Sequence, residues 1–174
     1  MSGINYDLTK IHGIALDVDG VLSPSTIPMG TDGQPVRMVN IKDGYALQLA
    51  VKRGLIISII TGGNTPGVQQ RYSKLGIKDI YQGVATKINV FQEWMSANSL
   101  KPEEVIYMGD DIPDLKCLRA AGLSCCPHDA AYEVKMTCDY ISQIGGGYGC
   151  VRDVVEQVLK AKGLWMNDAE AFGW

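Results

Sequence analysis

No apolar run in this chain approaches the roughly 18 residues that a membrane-spanning helix needs. Excess positive charge is also missing: Lys and Arg total 16 against 19 Asp and Glu, for a net charge of −3. A chain so balanced has no general attraction to phosphate backbones or anionic lipid, which argues against DNA, RNA and membrane surfaces as partners. The opening MSGINYDLTK lacks the basic-then-apolar pattern of a secretory signal, so a cytosolic protein is expected. Cysteine is scarce and odd in number. The five are Cys117, Cys125, Cys126, Cys138 and Cys150, a set that predicts reduced thiols more readily than a disulfide framework. Cys125, Cys126, His128 and Cys138 offer soft donors for zinc but lack the spaced cysteine pair of a structural site, and small buried apolar side chains are the simpler reading.

Present instead is ordinary globular composition, 46% hydrophobic and 20% charged, in 174 residues, which predicts one domain over 1–174. Apolar runs of strand length alternate with helix-length segments. Strands are expected at 12–18, 55–60 and 104–109, with shorter ones near 80, 123 and 140. Helices are expected over 43–53, 65–75, 86–98, 113–120 and 151–161. Such alternation predicts an α/β fold with a doubly wound, Rossmann-like parallel sheet.

One stretch breaks the alternation. Asp32-Gly33 lies between two short, partly β-branched stretches, which predicts a β-hairpin inserted after the first strand at about 24–40. It is too small to own a core and needs something to pack against. The glycine-rich GGGYG at 145–149 lacks the G-K-[ST] of a phosphate loop, so a turn before the last helix is expected there. The tail at 163–174 carries Trp165, Phe172 and Trp174; fraying is the default for it and docking on a neighbour the alternative.

The polar residues that punctuate these strands carry the chemistry. Ligands of doubly wound sheets bind beyond the carboxyl ends of the strands, where loops converge. Asp17 and Asp19 follow the first strand, Thr61 and Gly62 the second, Lys87 starts a helix, and Asp110, Asp111 and Asp114 follow a later strand. Each alone reads as a helix cap, a turn former or a solvated charge. Together they deliver carboxylates, a hydroxyl and an ammonium to one rim.

In this order, D-x-D-G, a strand ending in T-G, a helix-starting Lys and G-D-D-x-x-D resemble the haloacid dehalogenase superfamily of aspartate-nucleophile phosphohydrolases. KDGYAL at 42–47, LGIKDIYQG at 75–83 and the GGYGCVRD run ending at Asp153 extend the likeness to its small, hairpin-capped sugar acid phosphatases. The resemblance implies that Asp17 is the nucleophile and that Asp17, Asp110 and the Asp19 backbone carbonyl bind Mg²⁺. It further implies that Asp19 is the acid and base, and that Asp111 and Asp114 act around the metal. Thr61 and the backbone of Gly62 would then hold phosphoryl oxygens, and Lys87 would counter the carboxylates. A phosphate monoester is a dianion, so a carboxylate can attack it only where cations neutralise the site.

The resemblance also implies a sugar acid phosphate as substrate, an eight-carbon acid first and a nine-carbon keto acid second, and a homotetramer joined through the hairpins. Gly63 and Tyr148 stand where eight-carbon members carry Arg and nine-carbon members carry Glu. Arg37, Lys42, Arg71 and Arg152 are candidate partners for the sugar carboxylate, with the 145–153 segment reaching a neighbouring site. Two other readings use the same residues: a phosphoreceiver signalling module and an inactive scaffold. Thr61 after the second strand and the i, i+2 acid pair argue against the receiver. A scaffold has no reason to gather uncompensated carboxylates on one rim.

Overall fold

Short apolar segments become strands here because both of their faces are covered. The structure is a computed structural model that describes residues 3–173. Its strands are β1 (Gly13–Leu16), β2 (Ile56–Ile60), β3 (Asp79–Tyr81), β4 (Val105–Met108), β5 (Leu123–Cys126) and β6 (Tyr140–Ile141). They form one six-stranded sheet in the order β3-β2-β1-β4-β5-β6, and every pairing is parallel. The helices are α1 (Ile41–Lys52), α2 (Pro66–Ser73), α3 (Lys87–Ala97), α4 (Leu115–Ala120), α5 (Tyr132–Lys135) and α6 (Cys150–Ala161). The single turn of α5 has too few residues for a helical period and was not expected from the sequence.

Alternation along the strands sends side chains to two cores. Ile14, Leu16, Ile57, Ile59, Ile106 and Met108 face α1, α2 and α6. Ala15, Ile60, Val105 and Tyr107 face α3, α4 and α5 on the other side. Helix α6 meets its core through Val151, Val154, Val155, Val158 and Leu159, all buried and spaced as one helical stripe. Cys117, Cys125, Cys126 and Cys150 are buried in these cores, as small apolar side chains would be. Among the described residues no helix is long and apolar enough to cross a membrane.

The insertion is a sparse hairpin. Its ladder is one isolated antiparallel bridge, Met29 to Pro35, supported by Gly30 N–H donating to Gln34 O at 2.7 Å and Val36 N–H to Pro28 O at 2.9 Å. Asp32 caps the turn by accepting the Gln34 N–H at 3.0 Å. Pro28 and Pro35 have no N–H to extend the ladder, which accounts for its shortness.

The glycine-rich loop is a packing device. A Cβ at Gly146 would lie 1.9 Å from the carbonyl oxygen of Gly20, and Gly147 N–H donates to Val21 O at 2.8 Å. Only a residue without a side chain lets this loop touch the turn that follows β1. Part of the tail packs on its own chain. Trp165 packs edge-on to Tyr45 at 5.9 Å, and the Tyr45 hydroxyl donates to Ala171 O. Trp174 lies outside the described residues.

Trp94 of α3 is fully buried, 6.0 Å from the Phe91 ring and bonded through its indole N–H to Asp79 at 3.0 Å. Trp94→Ala should cost about 3–5 kcal/mol, because the cavity cannot collapse onto the rigid sheet. Equilibrium urea unfolding checks this value, and a change below about 1 kcal/mol would contradict the packing described.

Candidate active site

The strand order reverses at β1, whose neighbours β2 and β4 lead away in opposite directions. The loops beyond their carboxyl ends therefore part, leaving a crevice. Asp17, the residue after β1, donates its N–H to Met108 O at 3.0 Å, which ties it to β4. Its side chain is only 8% exposed. One carboxylate oxygen accepts the Val18 N–H at 2.7 Å, and the other lies 3.0 Å from Nζ of Lys87. Lys87 is the first residue of α3, and the same ammonium lies 2.8 Å from Oδ1 of Asp114.

Asp114 is a brace. It is fully buried, and its Oδ1 also accepts the Tyr107 hydroxyl at 2.8 Å. Its Oδ2 accepts the backbone N–H groups of Asp110 at 3.1 Å and Asp111 at 3.3 Å. With both oxygens occupied, Asp114 shapes the turn that carries Asp110. That turn crowds the one after β1: a Cβ at Gly20, where φ is +86°, would fall 1.9 Å from Oδ2 of Asp110.

Thr61 sits at the end of β2. Its hydroxyl oxygen accepts the Gly63 N–H at 3.1 Å, leaving the hydroxyl proton free to be donated into the crevice. Together with Asp17, Asp19, Gly62, Gly63, Lys87, Asp110, Asp111 and Asp114, Thr61 lines a cavity of about 370 Å³. Ser25, Val84, Ala85 and Pro113 line it too, and none had been singled out from the sequence. They carry no motif signal, since only the folding of three loops brings them there. Tyr107 was also missed, although its position between Ile106 and Met108 on alternating faces marks it as facing α3.

The carboxylate of Asp19 turns from this cluster toward the insertion. It receives Arg37 in a two-pronged pair, Nε to Oδ1 and Nη2 to Oδ2, both at 2.7 Å. Arg71 lines a second cavity of about 250 Å³ beside the first, together with Arg37 and Thr65. Nε and Nη2 of Arg71 are buried without a hydrogen-bond partner among the described residues. Lys42 and Arg152 lie elsewhere, at the start of α1 and in the first turn of α6. Arg152 pairs with Glu156 at 2.6 Å and stacks 4.4 Å from the Trp165 ring, so the tail of its own chain occupies it.

Electrostatics make the crevice a cation site. Burial, and then repulsion from Asp114, raise the pKa of Asp17 to about 7 despite Lys87. Burial, and then Asp17, Asp114 and Asp111, raise that of Asp110 to about 8. Burial works against the Lys87 ammonium, but Asp17 and Asp114 outweigh it and its pKa lies above the ordinary value. Carboxylate oxygens of Asp17, Asp110 and Asp114 all lie within 4.8 Å of one another. One ammonium does not balance that charge. An oxygen-only donor set of this kind suits a hard divalent cation, with Asp17 and Asp110 as the side chains free to bind it.

The chain is similar to known proteins over most of its length. The profile of haloacid dehalogenase-like hydrolases matches residues 41–127. The 3-deoxy-D-manno-octulosonate 8-phosphate phosphatase KdsC of Escherichia coli K12 is 37% identical over 154 residues, 88% of this chain and 82% of that protein. A Moraxella catarrhalis phosphatase of the same name, solved with magnesium ion, phosphate ion and a KDO molecule, superposes with TM-score 0.86 at 34% identity, covering 90% of each chain. The cobalt-bound Haemophilus influenzae enzyme superposes with TM-score 0.88 at 27% identity, over 95% of this chain and 98% of that one.

The raised pKa values set a pH dependence for the metal-free protein. Unfolded, Asp17 and Asp110 would lose their protons near the ordinary 3.8; folded, they keep them to about 7 and about 8. In that window the folded state binds more protons, so stability falls as pH rises. Chelator-treated protein should therefore lose Tm between about pH 5 and pH 8, Asp110→Asn should flatten the slope, and a divalent cation should abolish it. A Tm that rises with pH over this range would contradict the repulsive cluster.

Proposed function

The chain belongs to the haloacid dehalogenase-like hydrolases, and from that premise we propose that it is a Mg²⁺-dependent phosphatase of 3-deoxy-D-manno-octulosonate 8-phosphate. The observation that carries this reading is the contact of Asp17 with Lys87 at 3.0 Å, in a crevice that also presents Thr61, Asp19 and Asp110. Asp17 and Asp110, with the backbone carbonyl of Asp19, would hold the cation. Mg²⁺ there neutralises the carboxylates and the phosphate, which otherwise repel one another.

An oxygen of Asp17 attacks phosphorus, the bond to the sugar oxygen breaks, and the phosphoryl group passes to Asp17. Asp19 protonates the departing alkoxide. It then takes a proton from the water that attacks phosphorus, releasing phosphate and restoring the Asp17 carboxylate. The Thr61 hydroxyl and the Gly62 N–H donate to phosphoryl oxygens, and the Lys87 ammonium offsets their charge. The sugar acid extends toward the adjoining cavity lined by Arg71, whose positive charge suits a carboxylate. The setting is cytoplasmic, where the free thiols of Cys117, Cys125 and Cys126 stay reduced.

Asp17→Asn should abolish turnover of the eight-carbon sugar acid phosphate, since an amide is neither nucleophile nor good Mg²⁺ ligand. Excess chelator should do the same, reversibly. Hydrolysis assayed across a panel of sugar acid phosphates checks both the substrate and the mechanism. Near-native turnover by Asp17→Asn would refute the nucleophile, and a preference for a nine-carbon keto acid phosphate would move the substrate assignment.

The insertion supports a homotetramer. Met29 is 67% exposed and Ile41 66%, and Val36, Met38 and Val39 are exposed beside them. A sparse ribbon with an apolar face gains most by pairing with copies of itself. Light scattering at micromolar protein should give the mass of four chains, and Met38→Asp should reduce it without unfolding the subunit. A monomeric parent protein would refute the assembly.

A further inference from the structure

The pair between Asp19 and Arg37 separates the two cavities on this face of the sheet. Asp19 lines the one with Asp17 and Lys87, and Arg37 lines the one with Arg71. Their side chains differ in exposure, 35% for Asp19 against 11% for Arg37, so the guanidinium is the fixed partner and the carboxylate opens into the crevice. All three guanidinium nitrogens are used: Nε and Nη2 on Asp19 at 2.7 Å each, and Nη1 on the Thr65 hydroxyl at 3.0 Å. Thr65 is the N-cap residue of α2, so the fork is anchored to the scaffold.

Room for the fork comes from Gly63. A Cβ there would lie 2.4 Å from Nη2 of Arg37. Arg37 supplies both hydrogen bonds described for the Asp19 carboxylate, while the convergent cluster of Asp17, Asp110 and Asp114 leaves that carboxylate out. Each carboxylate oxygen offers two lone-pair directions, so the fork leaves one on each oxygen for a leaving group or a water.

We propose that Arg37 is a positioning residue, seated over Gly63 and anchored on Thr65, that aims the Asp19 carboxyl group, carrying the proton taken from water in the preceding turnover, at the leaving-group oxygen and so ties turnover to the placement of the insertion. This rests on Asp19 being the acid and base. A flexible Asp side chain would otherwise spread over several rotamers, and proton transfer demands one within hydrogen-bond reach of the reacting oxygen. Arg is required for the geometry. A lysine ammonium is a point charge and cannot make the two-pronged pair.

The test compares two carboxylate-free substrates, glycerol 2-phosphate, whose alkoxide needs a proton to leave, and p-nitrophenyl phosphate, whose phenolate does not. Asp19→Asn should lower kcat/KM far more for the first than for the second. Arg37→Ala should reproduce that asymmetry with a loss of roughly 10- to 100-fold on glycerol 2-phosphate, a part of what acid–base catalysis supplies. Arg37→Lys should recover little, and Gly63→Ala, which keeps Arg37 but crowds it, should show the same asymmetry. Added to Asp19→Asn, Arg37→Ala should cause no further loss, because a residue acting through another is silent once that residue is gone. Equal losses on both substrates, a multiplicative loss in the double variant or faster turnover by Arg37→Ala would overturn the positioning role. A symmetric Asp19→Asn profile would overturn the acid assignment and this proposal with it, whereas asymmetry in Asp19→Asn alone would overturn only the role of Arg37.

Discussion

Mutual repulsion among carboxylates buried at the ends of β1 and β4 is the constraint around which this molecule is arranged. Asp17 and Asp114 are nearly inaccessible, and Asp110 crowds both. Isolated charges so placed would not stay ionised. Lys87 enters between Asp17 and Asp114, and backbone N–H groups from Asp110 and Asp111 and the Tyr107 hydroxyl complete the coordination of Asp114. What these donors leave uncompensated lies on Asp17 and Asp110, where burial and neighbouring charge favour the protonated form. This deficit of positive charge is what gives the crevice affinity for a divalent cation and a phosphate together.

The rest of the fold brings that cluster together and holds it. A parallel sheet aligns the carboxyl ends of β1, β2 and β4, and the reversal at β1 keeps the crevice open. Close approach of the surrounding loops then depends on missing side chains. Gly20 admits Asp110, Gly109 admits Asp114, and Gly146 seats against the Gly20 carbonyl, so the loop before α6 buttresses the turn that follows Asp17. The docked tail extends the same support outward. The Arg152 guanidinium lies against the Trp165 and Tyr45 rings and helps hold the start of α6 against α1.

The insertion has an exposed apolar side and a side that meets the crevice. One of its edges is apolar and exposed at Met29, Val36 and Met38, while Arg37 between them points inward to Asp19. Val36 is exposed beside the inward-facing Arg37, so this short segment presents one side to solvent and another to the crevice. Under the proposed function, the ribbon that pairs with Asp19 is also the one whose exposed apolar side chains favour association.

Sequence alone determined the fold class, because apolar runs of strand length and strand-helix succession follow from local burial, and all six strands and five of the helices lie where that pattern put them. It also singled out Asp17, Asp19, Thr61, Lys87, Asp110, Asp111 and Asp114, since chemistry limits which residue types can end a strand beside a phosphate, and these line one crevice. Boundaries of the hairpin were less legible, as Pro28 and Pro35 leave one bridge where a ladder was expected. Only tertiary structure decided the partners: that Arg37 clamps Asp19, that Tyr107 and Lys87 share Asp114, and that Arg152 stacks on Trp165 of its own tail. These pairs are separated in sequence by up to 27 residues within the site, as between Lys87 and Asp114. The long side chains that make them can satisfy their charge in several ways, so the choice belongs to the packed loops and leaves no periodic trace in the chain.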